Sequence, residues 1–208
     1  MERVIRSGAF VLCFLPFAWL VYAVFENSLG PDPAEAVMRE TGEWALRILA
    51  LTLLVTPLRR LTGWSWVMKL RRMFGLYAFF YGCVHLLAFL QFFVGWSLPP
   101  LLEELVERPY ITMGFAAWCL MLPLAVTSTR GMQRRLGRNW RRLHRSIYPA
   151  AVLACLHLLW QARSDIGEAL VYIAMFACLL GWRFYDSRRL RVAPARPHSG
   201  VGLGPGGK

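Results

Sequence analysis

The chain has 208 residues, of which 57% are hydrophobic and only 17% charged, yet its formal net charge is +12. A soluble domain commonly carries about 25% charged residues, whereas here the apolar residues gather in runs near spanning length, about 20 residues each. The composition excludes a large soluble domain. It predicts an all-α membrane protein, one six-transmembrane-helix bundle over 1–192 with a disordered tail over 193–208, so any nucleotide-binding or substrate-reducing domain must be a separate protein.

The first predicted span covers about 8–25. Arg3 and Arg6 followed by an apolar run have the flavour of a signal peptide, but the run ends without a small-x-small cleavage site and reads as a retained helix. The second span covers about 43–58, opened by Thr41-Gly42 and closed near Pro57. A separate short helix is expected before it, over 33–41, with proline in its first turn and a stop before Gly42. The third span covers about 73–95. The stretch LLEELVER at 101–108 follows Pro99-Pro100 and predicts a short amphipathic helix on the outer surface or against a partner. The fourth, fifth and sixth spans cover about 110–127, 143–162 and 167–185. The tail is rich in Gly and Pro, and its His198 is assigned no role.

Loop charges set the expected orientation. One side gathers Arg3 and Arg6, the group from Arg59 to Arg72, the run from Arg130 to Arg145 and the basic tail. The other side holds Glu26, Asp32, Glu35, Glu40, Glu43, Glu103, Glu104, Glu107, Asp165 and Glu168. By the positive-inside rule both termini are cytoplasmic, and the positive charge answers to topology rather than to nucleic acid. The tryptophans near span ends read as an aromatic belt. Cys13, Cys83, Cys119, Cys155 and Cys178 fall one to an apolar segment with no C-x-x-C pair, which argues for packing rather than an iron–sulfur or zinc site.

Of the four histidines, His85, His144 and His157 lie in or beside apolar spans. Ionisable groups there are costly and mark function, and imidazole is the commonest metal ligand and a frequent axial ligand of haem iron. His85 lies 12 residues past Met73, roughly 18 Å along its helix, and His157 lies 14 past Leu143, roughly 21 Å along. The pair at one depth is expected to grip one haem iron. His144 stands about 20 Å nearer the cytoplasm. It shares a helix face with His157 only if the helix is distorted between them, where Pro149 stands.

This layout resembles membrane ferric reductases and NADPH oxidases, which carry two histidines 13 or 14 apart on each of two helices and stack two haems. Here the positions 14 and 13 before His85 are Arg71 and Arg72, so the fourth histidine is absent. The inner site is expected to combine His144 with these arginines, suited to haem propionates or a flavin phosphate. The strings RRMFGLYAFFYGCVHL, RPYITMG, LAVTSTRGMQRRLGRNWRRLHRSIY and LHLLW resemble the MsrQ (YedZ) family over about 16–185.

That resemblance implies a bacterial inner-membrane, multi-pass, haem-binding subunit of the periplasmic methionine sulfoxide reductase system. It implies b-type haem (heme b, one or two) and FMN. Electrons would come from the quinone pool or a cytoplasmic flavin reductase and pass to MsrP, a periplasmic molybdopterin reductase that carries the sulfoxide chemistry. The alternative within the class is a ferric-reductase-like oxidoreductase acting on an external metal or oxygen. A proton or ion pathway would need further polar residues along the spans, and almost none are expected there.

Overall fold

A computed structural model describes residues 2–162 and 166–192, and every regular element in them is helical. The expected tail over 193–208, with His198, and Asp165 lie outside the described residues. The helices are α1 (Glu2–Phe25), α2 (Pro33–Thr62), α3 (Met68–Phe89), α4 (Leu98–Glu107), α5 (Pro109–Val126), α6 (Arg130–Leu136), α7 (Arg138–Leu143), α8 (Ile147–Gln161) and α9 (Ile166–Val192). A 3-10 turn over Ser65–Val67 leads into α3, a π turn over Leu90–Val94 extends it, and a second 3-10 turn over His144–Ser146 precedes α8.

Five segments are long and apolar enough to cross a membrane: Glu2–Phe25, Pro33–Thr62, Ser65–Val94, Pro109–Val126 and Ile166–Arg188. The sequence places a further span over 143–162. There α8 has 15 residues, about 22 Å of rise, against a hydrocarbon core of roughly 30 Å. The 3-10 turn before it supplies the distortion looked for between His144 and His157, just ahead of Pro149.

Several expected boundaries are corrected. The helix expected over 33–41 and the span over 43–58 are one helix of 30 residues, running through Gly42 without a stop. Asp32 caps it by accepting from the Glu35 N–H at 2.9 Å, and Pro33 takes the first turn, where no N–H is needed. Pro57 lies inside this helix instead of closing it, because a missing hydrogen bond in a packed membrane helix can be absorbed by its surroundings. The helix ends at Gly63, left-handed at φ 75°, whose N–H returns to the Arg59 carbonyl. The helix expected from 101 begins at Leu98, with Pro99 and Pro100 in its first turn. The spans are also less apolar than expected: Arg47 lies inside α2 and Arg183 inside α9.

α2 is the centre of the bundle. Half of its apolar stretch is buried, 50% against 17% in α1, α3 and α9. It packs chiefly on α3, while α5 packs chiefly on α8, and α9 bridges the two pairs. The shared core contains Leu46, Ile48, Leu49 and Leu53 of α2, Tyr77, Ala78 and Tyr81 of α3, and Phe176 of α9. Outward faces carry Phe10, Val11, Leu12, Leu51, Leu54, Leu170 and Val171, the arrangement that lipid favours.

Two tyrosines fasten α1 to α3. Tyr77 donates to the Phe10 carbonyl at 3.1 Å. The Tyr81 hydroxyl accepts from the Phe17 N–H at 3.0 Å and donates to the Cys13 carbonyl at 2.8 Å. Those two backbone groups would pair with each other in an uninterrupted helix, so the hydroxyl is inserted into the ladder beside Pro16. Ion pairs Lys69–Glu2 and Arg60–Asp186 gather the starts of α1 and α3 and the ends of α2 and α9 at one basic end of the bundle.

Candidate haem site

His85 comes from the C-terminal half of α3 and His157 from the C-terminal half of α8. Their ring centroids are 6.1 Å apart and their planes cross at 81°. His85 Nδ1 lies 3.0 Å from the Met38 carbonyl and 3.3 Å from Thr41 Oγ1, and His157 Nδ1 lies 2.7 Å from the Tyr110 carbonyl. A carbonyl only accepts, so each Nδ1 carries the proton and each Nε2 keeps its lone pair for another partner. This carbonyl anchoring is the usual way a metal-bound imidazole is oriented.

The rings fit because two helices present no side chain to them. A Cβ built on Gly42 of α2 would stand 3.1 Å from His85 Cε1. A Cβ on Gly114 of α5 would stand 2.8 Å from His157 Nδ1. Thr41, fully buried, ties its hydroxyl to the Val37 carbonyl at 2.7 Å while touching His85. Gly42, Gly114, Thr41 and the Tyr110 carbonyl carry no chemistry readable in a sequence. Their only signal is that small residues on apolar helices mark close approach.

The donor set fits haem rather than a bare ion. A metal–imidazole bond is about 2 Å, so two Nε2 atoms facing one metal put ring centroids about 6 Å apart, as found. Among the described residues no cluster of three or more His, Cys, Asp or Glu could hold a metal. A porphyrin supplies the equatorial donors itself and needs from the protein only an axial pair.

Toward the basic end, His144 stacks on Trp140 with centroids 3.9 Å apart, and its Nδ1 lies 3.1 Å from the Trp140 carbonyl. The ring is also hydrogen-bonded to the Leu124 backbone, so unlike the other two imidazoles it is held by two backbone groups. Arg71 is half-buried and close enough to act electrostatically on both His144 and Arg183, while Arg72 is exposed. Arg183, which sequence reasoning did not single out, stacks on Tyr148 at 5.1 Å and keeps a buried Nη1 without a hydrogen-bond partner. Arg60 reaches the same cluster but is paired with Asp186. The cluster thus has more cationic groups than carboxylates, the electrostatics of an anion site.

Residues 41–155 match the family model described as a ferric reductase like transmembrane component. The chain is 50% identical over 178 residues to the "Protein-methionine-sulfoxide reductase heme-binding subunit MsrQ" of Xanthomonas axonopodis pv. citri, covering 86% of this chain and 82% of that protein. It is 49% identical, with the same coverage, to the subunit of that name from Xanthomonas campestris pv. campestris. It is 43% identical over 188 residues to that of Azospira oryzae, covering 89% of this chain and 81% of the relative.

Proposed function

The chain belongs to the MsrQ family of ferric-reductase-like membrane proteins, and from that premise we propose that it is a membrane cytochrome b. It is a multi-pass protein of the bacterial inner membrane, and it carries electrons outward across that membrane to a periplasmic MsrP-like molybdopterin reductase. His85 and His157 are the axial ligands of one b-type haem. The observation that carries this reading is the pair of imidazoles 6.1 Å apart with both Nδ1 atoms anchored on carbonyls. His144, with Arg71 acting on it and on Arg183 and with Arg72 next in the chain, holds the anionic part of a second haem or of FMN.

The bundle spans the membrane six times with both termini cytoplasmic. Support comes from the two ion pairs that bring the start of α1 and the end of α9 to one basic end, which requires an even number of passages. The sixth passage is completed by α8 with the 3-10 turn before it. The donor is the quinone pool or a cytoplasmic flavin reductase.

Bound haem supplies a one-electron couple that changes charge with little movement of atoms. The chain's own residues do the rest. The Met38 and Tyr110 carbonyls fix both imidazole tautomers, Gly42 and Gly114 let the rings lie flat against their helices, and the apolar packing of α3 and α5 excludes water. Sulfoxide reduction itself resides in the partner, as the repair of oxidised methionine demands a separate substrate site.

The test is a reduced-minus-oxidised visible spectrum of the purified protein, with haem counted per chain. His85→Ala and His157→Ala should each abolish the low-spin bis-imidazole spectrum. Full retention of that spectrum in His157→Ala would remove the proposed pairing.

A further inference from the structure

The segment that joins α5 to α8 carries seven arginines within residues 130–145 and not one carboxylate. All seven are exposed, and none forms an ion pair among the described residues. The two carboxylates at this end of the bundle, Glu2 and Asp186, are taken by Lys69 and Arg60. Insertion topology accounts for the sign of the charge. It does not account for its concentration on one short segment, or for the way that segment is held.

The arginines stand on a fixed platform. The Thr129 hydroxyl caps α6 by accepting from the Met132 N–H at 3.3 Å. Gln133 donates to the Ser128 carbonyl at 3.4 Å, and the Trp140 indole of α7 donates to the Thr127 carbonyl at 3.0 Å. Met132, Leu136 and Leu143 are half-buried, and Leu143 packs against the core. One side of the two helices is thus fastened to the bundle, and the other presents guanidinium groups. Arg130 and Arg134 of α6 are four residues apart, as are Arg138 and Arg142 of α7, so each pair shares a helix face on which like charges repel. Repulsion fixed in place by packing is relieved by an anion from outside.

We propose that α6 and α7 bind anionic phospholipid of the inner leaflet, their guanidinium forks holding headgroup phosphates. The proposal rests on the six-passage reading, which puts this end of the bundle at the cytoplasmic surface. The platform starts four residues after α5 ends at the exposed Val126, and it leads directly into α8. It therefore lies at the depth of the headgroups, where anionic phosphates are more concentrated than any soluble anion. A zwitterionic headgroup carries its own ammonium beside the phosphate and gains less from the arginines.

The experiment is native mass spectrometry of the detergent-purified holoprotein, titrated with phosphatidylglycerol and separately with phosphatidylcholine. Phosphatidylglycerol should bind at least about tenfold more tightly. Arg130→Gln, Arg134→Gln and Arg138→Gln combined should bring the two lipids to within about twofold of each other, and Arg134→Gln alone should lower the preference about threefold. Arg3→Gln, Arg6→Gln and Arg59→Gln combined remove the same charge from exposed positions elsewhere at this end and should leave the preference intact. Equal binding of the two lipids, equal weakening by both triple variants, or tighter binding of a short RNA than of phosphatidylglycerol would each overturn the proposal. The side of the membrane is read separately, by adding a membrane-impermeant thiol reagent to intact spheroplasts carrying Arg135→Cys. Label gained from outside would sink the six-passage reading, whereas the lipid preference is measured in detergent and does not depend on the side.

Discussion

Gly114 stands where a single methyl group would press on the atom that orients His157, 2.8 Å from its Nδ1. Overpacking of this kind costs about 1–3 kcal/mol where backbone cannot retreat. We expect Gly114→Ala to lower haem per chain by more than half, and Gly42→Ala, with contacts of 3.1 and 3.2 Å, to lower it less. Haem content and spectrum measured on both variants decide this; equal, full occupancy would show that the rings need no such room. At the basic end, His144→Ala and Arg71→Ala should remove a second cofactor while leaving the spectrum assigned to His85 and His157 intact. Loss of that first spectrum instead would merge the two sites into one. His85 and His157 were legible because four histidines in an apolar chain are conspicuous. The glycines were not, since their role exists only through the ring of another helix.

The joint between α1 and α3 depends on one hydroxyl. Tyr81→Phe removes both a donor and an acceptor from the break beside Pro16 and leaves the Phe17 N–H and Cys13 carbonyl to find other partners. A loss of about 1–3 kcal/mol is expected, larger than for Tyr77→Phe, which gives up one bond. Thermal unfolding in detergent should rank the two variants, and a smaller loss for Tyr81→Phe would contradict the insertion. The sequence located most helices because hydropathy over about 20 residues reports burial in lipid. It divided α2 wrongly at Gly42 and Pro57, since breaker residues are read as local stops while tertiary packing overrides them. It also passed over Arg47 and Arg183, whose partners Tyr172, Glu43 and Tyr148 lie on other turns or other helices.

At the scale of the whole molecule, charge is sorted end to end, and the acidic end is where docking of the proposed partner is expected. Within α4, Glu104 is paired with Arg108 at 3.1 Å, while Glu103 and Glu107 are exposed. Leu98, Leu102 and Val106 are exposed beside them, an amphipathic pattern suited to a membrane–water boundary. Reversal to lysine at Glu103 and Glu107 should slow electron delivery to the periplasmic partner several-fold at low salt and leave the haem spectrum unchanged. Steering of this kind acts on association rate and fades with ionic strength. Stopped-flow transfer at two salt concentrations tests it; unchanged rates at low salt would move the docking surface elsewhere.

The central position of α2 has a consequence for how the protein is made. Its best window has a mean hydropathy of 1.2, against 2.2 for α1 and 1.8 for the α3 segment. An arginine near the middle of a segment opposes its release from the translocon by roughly 2.5–3.5 kcal/mol. Inside the bundle Arg47 has Glu43 and Tyr172 to lean on, but Tyr172 is synthesised more than a hundred residues later. α2 is therefore expected to enter the bilayer less readily by itself than as a hairpin with α3, its main packing partner. That hairpin already holds Gly42, Met38 and Thr41 against His85, so this half of the proposed haem site needs no residue beyond α3.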